Sequence, residues 1–222
     1  MYAWLCENPI GVEALRWTPM PQVEPRPGEV RIKIAAASLN FPDLLIVQNK
    51  YQMKPPLPFV PGSEYAGWVD AVGAGAEKLK VGDRVAAFGG TGGFATHACV
   101  DAALAMPLPE GFALDDAAAF VLTYGTTHHA LLARAALKAG ETVLILGAAG
   151  GVGTAAIQLC KAQGATVIAT ASSAEKLDVC KQCGADHVIN YKDGDFVPAV
   201  REITQGRGVD LVARDLACKA AD

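Results

Sequence analysis

The stretch Glu141–Gly153, ETVLILGAAGGVG, decides the fold of this 222-residue chain. It begins with an apolar run, Thr142–Leu146, that is typical of a buried strand of a parallel sheet. Glycines then recur at every third position, at Gly147, Gly150 and Gly153, and an amphipathic helical pattern follows. Because glycine tolerates positive φ and carries no Cβ, such a turn lets a phosphate reach bare backbone N–H groups at a helix N-terminus. The stretch therefore predicts a dinucleotide-binding turn.

Downstream of this turn, strand and helix patterns alternate at short spacing. Strand patterns occur at ATVIAT (165–170), DHVIN (186–190) and VDLV (209–212), with helical patterns between them. This alternation predicts βαβ units, right-handed crossovers and a parallel sheet. Within that context the glycine turn indicates nucleotide binding, and a purely structural strand-to-helix turn is the alternative.

The first half of the chain differs from the second half in composition and in the pattern of apolar residues. It is rich in proline and in short segments such as GEVRIKIAAASLN (28–40), YAGWVDAVG (65–73) and GDRVAAF (82–88). Alternation of apolar and polar side chains in such segments predicts half-buried strands, and the glycines and prolines between them predict turns. We therefore expect an α/β protein with a mostly-β domain over residues 1–112 and a dinucleotide-binding domain over residues 113–222.

Net charge and hydropathy limit the classes of partner that we expect for this chain. The formal net charge is -4 and no basic cluster occurs, so we expect no nucleic-acid partner, because such proteins need Lys/Arg to displace counterions. No apolar run reaches membrane-span length, and Met1–Ile10 lacks the pattern of a signal peptide. We therefore expect no membrane partner and a cytoplasmic location, where the six cysteines are reduced thiols.

The end of the second predicted strand bears on the choice between NAD and NADP. An NAD site usually has Asp or Glu about 20 residues after the glycine motif, on the ribose 2′-hydroxyl. Here VIATASSAEK (167–176) has no acid before Glu175, whereas Ser172, Ser173 and Lys176 can hydrogen-bond a 2′-phosphate. Ser172 and Glu175 also have the spacing of a capping box, and a cap and a phosphate site can share one helix start. The sequence favours NADPH.

Together these segments resemble the zinc-free quinone oxidoreductase (zeta-crystallin-like) branch of the medium-chain dehydrogenase/reductase superfamily. The resemblance is carried, in family order, by the glycine-turn region and by ASLNFPDLL (37–45), PFVPGSEYAGWV (58–69), GGFATHACV (92–100), LTYGTTHHALL (122–132) and GADHVINYKD (184–193). It implies a GroES-like β domain, then a Rossmann domain, with the active cleft between them. It also implies a homodimer that transfers hydride from NADPH to a quinone or another electron-poor carbonyl or enone acceptor.

The resemblance also assigns site residues. Asn40, Asp43 and Tyr51 match positions that line the nicotinamide and substrate cleft, with Tyr51 a candidate hydrogen-bond or proton donor. Structural alternatives are a satisfied loop amide for Asn40, a helix N-cap for Asp43, an exposed loop aromatic for Tyr51 and a helix back-bonding hydroxyl for Thr127. With the glycine motif included, the predicted cofactor-binding residues are Thr127, Gly147, Gly150, Gly151, Val152, Gly153, Ser172, Lys176 and Tyr191.

No metal site is predicted. Zinc alcohol dehydrogenases of the superfamily use a Cys and a Gly-His-Glu in the two loops where this sequence has Asn40 and Ser63, and neither residue is a good zinc ligand. Cys180 and Cys183 are spaced as CKQC, with His187 soon after. They lie inside a predicted helix, so we interpret them as structural or surface thiols.

The sequence departs from the family pattern near its end. After Val212, relatives continue with an Asp-Pro-Val-Gly-Gly-like turn and further strands and helices, whereas ARDLACKAAD (213–222) follows here. We expect a C-terminal truncation that removes the second half of the Rossmann domain, leaves an exposed strand edge and argues against the homodimer. Two functions therefore stay open: an active reductase, and a truncated, catalytically inactive nucleotide-binding or interaction protein.

Overall fold

A computed structural model describes residues 1–214, and these form two compact units, Met1–Leu122 and Thr123 onward. The boundary lies later in the chain than the predicted boundary after residue 112. The difference arises because helix α2, Leu114–Ala118, buries Ala117 and Ala118 against alanines of the first unit's sheet. This segment therefore belongs to the core of the first unit.

The first unit is mostly β-structure. A hairpin pairs β1, Tyr2–Leu5, with β2, Arg16–Pro19, and a separate five-stranded antiparallel sheet has the order β6-β3-β4-β5-β7. The strands of that sheet are β3, Glu29–Ala37; β4, Glu64–Val72; β5, Arg84–Phe88; β6, His97–Asp101; and β7, Ala105–Pro107. Helix α1, Phe41–Val47, follows β3, and two short 3-10 turns lie at Val12–Ala14 and Ala102–Leu104.

Period-two patterning explains this sheet. In β3, Val30 and Ile32 are fully buried, and the charged side chains of Arg31 and Lys33 alternate with them. The buried face packs with Tyr65 and other apolar residues of neighbouring strands into one core. The strands predicted from this alternation are present.

The second unit contains a parallel four-stranded sheet of order β10-β9-β8-β11. Its strands are β8, Thr142–Leu146; β9, Thr166–Ala171; β10, His187–Asn190; and β11, Leu211–Arg214. Its helices are α4, Gly151–Ala162; α5, Ala174–Gln182; and α6, Val197–Ile203. Helix α3, Val121–His128, leads from the first unit and continues as a π-helix over His129–Arg134.

The strand order places a topological switch point in this sheet. The chain builds outward from β8 to β9 and β10, then returns to place β11 on the other side of β8. In doubly wound sheets, ligands bind beyond the carboxyl ends of the strands at such a reversal. The predicted α/β fold class, a mostly-β unit followed by a partial Rossmann sheet, is confirmed.

The described part of the chain ends at β11, where Val212 is 54% exposed. Most of the predicted departure from the family pattern falls on residues 215–222, which lie outside the described residues. Within residues 1–214, no helix is long and apolar enough to cross a membrane.

Candidate functional site

The glycine turn connects β8 to the N-terminus of α4. Gly147 adopts φ 67°, and Gly150 is the N-cap of α4, with no side chain capping the helix. The turn is anchored by the Ala148 N–H, which donates to Thr170 O in β9 at 3.0 Å. The bare N-terminus of a 12-residue helix therefore lies at the carboxyl end of a parallel strand. Its free N–H groups and positive dipole end fit the pyrophosphate of a dinucleotide.

Two glycines of α4 allow close packing at this turn. A Cβ on Gly153 would lie 2.6 Å from backbone atoms of Ala148, which is too close for any side chain. A Cβ on Gly151 would lie 3.1 Å from Thr123 Cγ2. The glycine spacing therefore sets the approach of α4 to the turn, as a dinucleotide-binding motif requires.

The residues predicted to hold a 2′-phosphate lie beyond the carboxyl ends of β9 and β10. Ser172 follows β9 directly, and Lys176 Nζ lies 3.5 Å from Ser172 Oγ. The Tyr191 N–H donates to Ala171 O at 3.1 Å, so the start of the loop after β10 is fixed beside Ser172. The structure thus brings Ser172 and Lys176 together and places Tyr191 at the adjacent strand end.

The N-cap of α5 lies one residue after the position that the predicted capping box of Ser172 and Glu175 requires. Ser173 is the N-cap of α5, and its hydroxyl accepts from the Lys176 N–H at 3.4 Å. The predicted box between Ser172 and Glu175 is therefore wrong, because Ser173 occupies the cap position. The Ser172 hydroxyl is therefore not used as the cap of α5.

Thr127 lies beside the α4 N-terminus. Its side chain is buried, and Oγ1 donates to Thr123 O at 2.7 Å, with Val152 O at 3.3 Å. The hydroxyl therefore back-bonds its own helix, which was the structural alternative for this residue. A pocket of about 160 Å³ at the switch point is lined by Thr127, Ala130, Leu131, Ala135, Val152, Ala156, Leu211, Val212, Ala213 and Arg214.

In the first unit, Asn40 and Asp43 form the start of α1. Asn40 is the N-cap, and Asp43 Oδ2 accepts from the Asn40 backbone N–H at 2.9 Å. Asp43 is buried, and its Oδ1 accepts from Ser63 N at 3.0 Å and from Ser63 Oγ at 2.5 Å. Asp43 is thus the third residue of the helix rather than its predicted N-cap alternative. Its carboxylate ties α1 to the segment before β4.

Glu64 is a buried acid beside Asn40, and the sequence motifs predict no role for it. It is 0% exposed, and its Oε1 accepts from the Leu122 N–H at 2.9 Å. Its Oε2 accepts from Ser38 Oγ at 2.8 Å and from Asn40 Nδ2 at 3.3 Å. Asn40 Nδ2 also donates to Ser38 Oγ at 2.8 Å, so the Asn40 amide is satisfied by its neighbours. An acid at the head of the apolar pattern EYAGWV (64–69) is the sequence feature that identifies it.

Tyr51, the remaining predicted catalytic residue, lies apart from this network. It is half-buried against a cluster of Cys6, Ile46, Val47 and Phe59, rather than an exposed loop aromatic. No side-chain hydrogen bond within residues 1–214 joins it to Asn40 or Asp43. The structure therefore fixes the position of the Tyr51 ring by packing.

The side chains in the loops that contain Asn40 and Ser63 are not a suitable ligand set for zinc. Asn40 and Ser63, which stand at the positions of zinc ligands, are hydrogen-bonded to the buried carboxylates of Glu64 and Asp43. In the part of the chain that the structure describes, no three His, Cys, Asp or Glu side chains group as a metal site requires. Cys180 is buried inside α5, and burial raises the pKa of its thiol. A buried thiol of this kind is unreactive.

Both units match known protein families. Residues 26–110 match the alcohol dehydrogenase GroES-like domain, and residues 151–219 match the zinc-binding dehydrogenase family. Together these matches give a GroES-like unit followed by a partial Rossmann unit. The chain belongs to the medium-chain dehydrogenase/reductase superfamily, as the motifs predicted.

Individual relatives support this assignment. A probable oxidoreductase from Mycobacterium abscessus has 41% identity and a TM-score of 0.90, over 96% of this chain and 68% of that chain. The quinone oxidoreductase of Thermus thermophilus, also solved with NADPH, has 34% identity and a TM-score of 0.82, over 96% of this chain and 65% of that one. The rat synaptic vesicle membrane protein VAT-1 homolog is 39% identical over 91% of this chain, which spans 50% of that relative.

Proposed function

We propose that this chain binds NADPH and reduces quinones or other electron-poor carbonyl or enone acceptors by hydride transfer, without zinc. The observation that carries the proposal is the uncapped N-terminus of α4 at the glycine turn, with Ser172 and Lys176 placed beyond the next strand. One structural neighbour is a quinone oxidoreductase solved with NADPH, which supports the same activity for this chain.

The choice of NADPH over NADH rests on the end of β9. A 2′-phosphate needs hydrogen-bond donors and positive charge, which the Ser172 hydroxyl and the Lys176 ammonium offer. Because Ser173 provides the helix cap, Ser172 is left to the ligand. Tyr191, 43% exposed at the neighbouring strand end, supplies a further polar group.

The residues of this chain would bind and orient rather than perform the redox step. The cofactor, when bound, supplies the hydride. The bare N–H groups of α4 would hold its pyrophosphate, and the pocket beside Thr127 and Val152 would receive its nicotinamide end. Without a Lewis acid to polarise a carbonyl, the acceptor must already be electrophilic, which favours quinones and enones over simple carbonyls. Tyr51 would donate a proton or a hydrogen bond to the acceptor.

The test combines binding and turnover on one monodisperse sample. NADPH binding is measured by fluorescence titration, and turnover by reduction of 9,10-phenanthrenequinone. Tyr51→Phe is expected to lower turnover and leave NADPH affinity unchanged, and unchanged turnover excludes a direct role for the hydroxyl. Absence of NADPH binding to the wild type contradicts the whole proposal.

A second function is a noncatalytic nucleotide-binding or interaction protein. The chain spans 50% of the length of the rat relative, so the activity of a full-length relative is a proposal for this chain. NADPH binding without turnover in the same experiment would favour it. The cytoplasmic location and the lack of a nucleic-acid or membrane partner stay predictions from charge and hydropathy.

A further inference from the structure

Three aromatic rings are exposed together on the N-terminal hairpin. Tyr2, Trp4 and Trp17, here called the aromatic platform, are 49%, 43% and 47% exposed. The Tyr2 and Trp17 rings stack with centroids 5.8 Å apart, and the Trp4 and Trp17 rings are tilted with centroids 5.5 Å apart. Large aromatic side chains normally bury most of their surface, so their clustering on one exposed face calls for a partner.

Backbone pairing presents these rings on one rigid face. β1 pairs with β2 on one side and, through Trp4 N to Phe94 O and Thr96 N to Tyr2 O, both at 2.8 Å, with residues 94–96 on the other. Met1 and Met20 exchange two hydrogen bonds, so Trp4 and Trp17 form a non-hydrogen-bonded pair further along the ladder. The backbone N–H and C=O of Trp17 therefore point away from β1, along the outer edge of β2.

Hairpin stabilisation accounts for only part of this arrangement. A cross-strand aromatic pair contributes about 0.2–1 kcal/mol to a hairpin, and Trp4–Trp17 is such a pair. Yet no hydrogen bond within residues 1–214 engages the indole N–H groups of Trp4 and Trp17 or the hydroxyl of Tyr2. The face therefore combines apolar area with unused donors.

The size of the platform suits a short ligand. Three aromatic side chains of roughly 150–250 Å² each, about half exposed, offer on the order of 300 Å². A stable interface between folded proteins buries about 800 Å² on each partner. A second copy of the chain or another folded domain would therefore need much more surface than this face provides.

A groove with two carboxylates and one guanidinium, here called the acidic groove, begins at Arg16, the residue that precedes Trp17 in β2. It has a volume of about 370 Å³ and is lined by Glu7, Asn8, Ile10, Glu13, Ala14 and Arg16. The Arg16 guanidinium contacts the backbone of the preceding residues: its Nη1 donates to Glu13 O at 2.8 Å and to Leu15 O at 3.0 Å. The carboxylates of Glu7 and Glu13 outnumber the one guanidinium in the groove, so the groove attracts a cation and disfavours contact with an anionic membrane.

We propose that the aromatic platform and the adjoining acidic groove form a docking site for a short proline-rich peptide that carries an Arg or Lys. A polyproline II segment is extended before binding, and its backbone carbonyls are unpaired, so it matches an aromatic face with free N–H and O–H donors. The flanking cation of the peptide would lie in the groove of Glu7 and Glu13. This site does not depend on the nucleotide turn of the second unit.

The test is a calorimetric titration of the full chain with three synthetic peptides. They are an arginine followed by nine prolines, the same peptide with glutamate in place of arginine, and an arginine followed by alternating glycine and serine. The first peptide should bind, and the glutamate peptide should bind about tenfold more weakly, because its charge is repelled by the groove. Equal binding of the glycine–serine peptide, or no binding of the first peptide, overturns the proposal.

Two variants localise the binding. Trp17→Thr, which keeps a residue that favours strands, should weaken binding of the arginine–proline peptide at least tenfold. Trp68→Thr is the matched control, since Trp68 is 41% exposed on β4 outside the platform, and it should leave binding unchanged. If Trp17→Thr fails to fold by circular dichroism, Glu7→Gln with Glu13→Gln serves instead, and it should abolish the preference for arginine over glutamate.

The same samples also test whether a lipid bilayer or a second copy of the chain occupies the aromatic platform instead of a peptide. Platform-dependent binding to zwitterionic lipid vesicles, or Trp17-dependent self-association in light scattering, without peptide binding would assign the face to a bilayer or a second copy. Either outcome overturns the proposal.

Discussion

At the scale of single residues, two adjacent serines after β9 differ in their role at the start of α5. Ser173 caps α5, and Ser172 faces the Lys176 ammonium at 3.5 Å. A sequence pattern cannot separate such neighbours, because both have the side chain that caps helices and binds phosphates. Because Ser173 is the cap, the Ser172 hydroxyl and the Lys176 ammonium are available for the proposed phosphate site.

Replacement of Lys176 tests this site. Lys176→Ala should weaken NADPH binding about five- to tenfold and leave NADH binding nearly unchanged, because only NADPH carries the 2′-phosphate. Fluorescence titration with both reduced cofactors measures the effect. Lys181→Ala, in the last turn of the same helix, is the control and should affect neither. An equal loss for both cofactors would contradict a role in phosphate recognition.

At the scale of elements, the packing of α4 against the glycine turn depends on the missing Cβ of Gly153. An alanine there would press its methyl group against the Ala148 backbone, which cannot move like a flexible side chain. By contrast, Gly125 in the middle of α3 has nothing within 4 Å of an added Cβ. The two glycines therefore predict opposite results for the same substitution.

Gly153→Ala should destabilise the chain by about 1–3 kcal/mol through overpacking and weaken NADPH binding. Gly125→Ala should stabilise it by about 0.5–1 kcal/mol, because alanine loses less entropy than glycine in a helix. Urea unfolding monitored by circular dichroism measures both. Tolerance of Gly153→Ala without loss of stability would show that α4 can move away from the turn.

A second element-scale feature is the ion pair that joins α4 to the sheet. Lys161 Nζ donates to both oxygens of Asp186 at 2.8 and 2.9 Å, and the Val167 N–H of β9 donates to the same carboxylate at 2.7 Å. Burial alone would raise the pKa of Asp186, but the hydrogen bonds from Lys161 and Val167 outweigh it and lower the pKa below its ordinary value. The charged form is therefore favoured by folding.

This shift predicts a pH dependence of stability. Since the folded pKa of Asp186 is depressed, its contribution is complete above the unfolded value and is lost as pH falls through the folded value. Asp186→Asn should cost about 1 kcal/mol at pH 7, a modest amount because the pair is partly exposed. The difference from wild type should shrink below about pH 4. A difference that stays constant in urea unfolding from pH 7 to pH 3 would contradict this account.

At the scale of the whole molecule, the family match includes zinc-binding dehydrogenases, whereas the residues at the metal positions are committed to other contacts. The Asn40 amide bonds Ser38 and Glu64, and the Ser63 hydroxyl bonds Asp43. These contacts satisfy two buried carboxylates within the fold, a structural task that a metal site would disrupt.

Chelation should therefore leave the chain unchanged. Dialysis against EDTA is expected to alter neither the unfolding temperature nor NADPH affinity, because the residues at these loops do not form a closed ligand set. Differential scanning fluorimetry and elemental analysis of the dialysed protein provide the measurement. Stoichiometric zinc whose removal lowers the unfolding temperature would contradict it.

The candidate site shows where prediction from sequence reaches its limit. The turn at Gly147–Gly153 was predictable because its determinants, a strand, glycines and a helix, are contiguous along the chain. The hydrogen bonds between Asp43 and Ser63 and between Glu64 and Asn40 join residues that lie 20 and 24 positions apart. Such long-range pairs depend on how α1 packs against β4, and local pattern carries no information about that packing.

Sequence pattern alone was sufficient for the two-part α/β architecture, the parallel order of elements after residue 141 and the glycine turn between β8 and α4, because periodicity and glycine chemistry act within a few residues. Tertiary structure decided the rest: that α2 belongs to the first unit, that Asp43 and Glu64 are buried acceptors, and that Tyr2, Trp4 and Trp17 share an exposed face. Burial and side-chain partners arise only when distant segments pack, so these properties of a residue are settled by its neighbours in space.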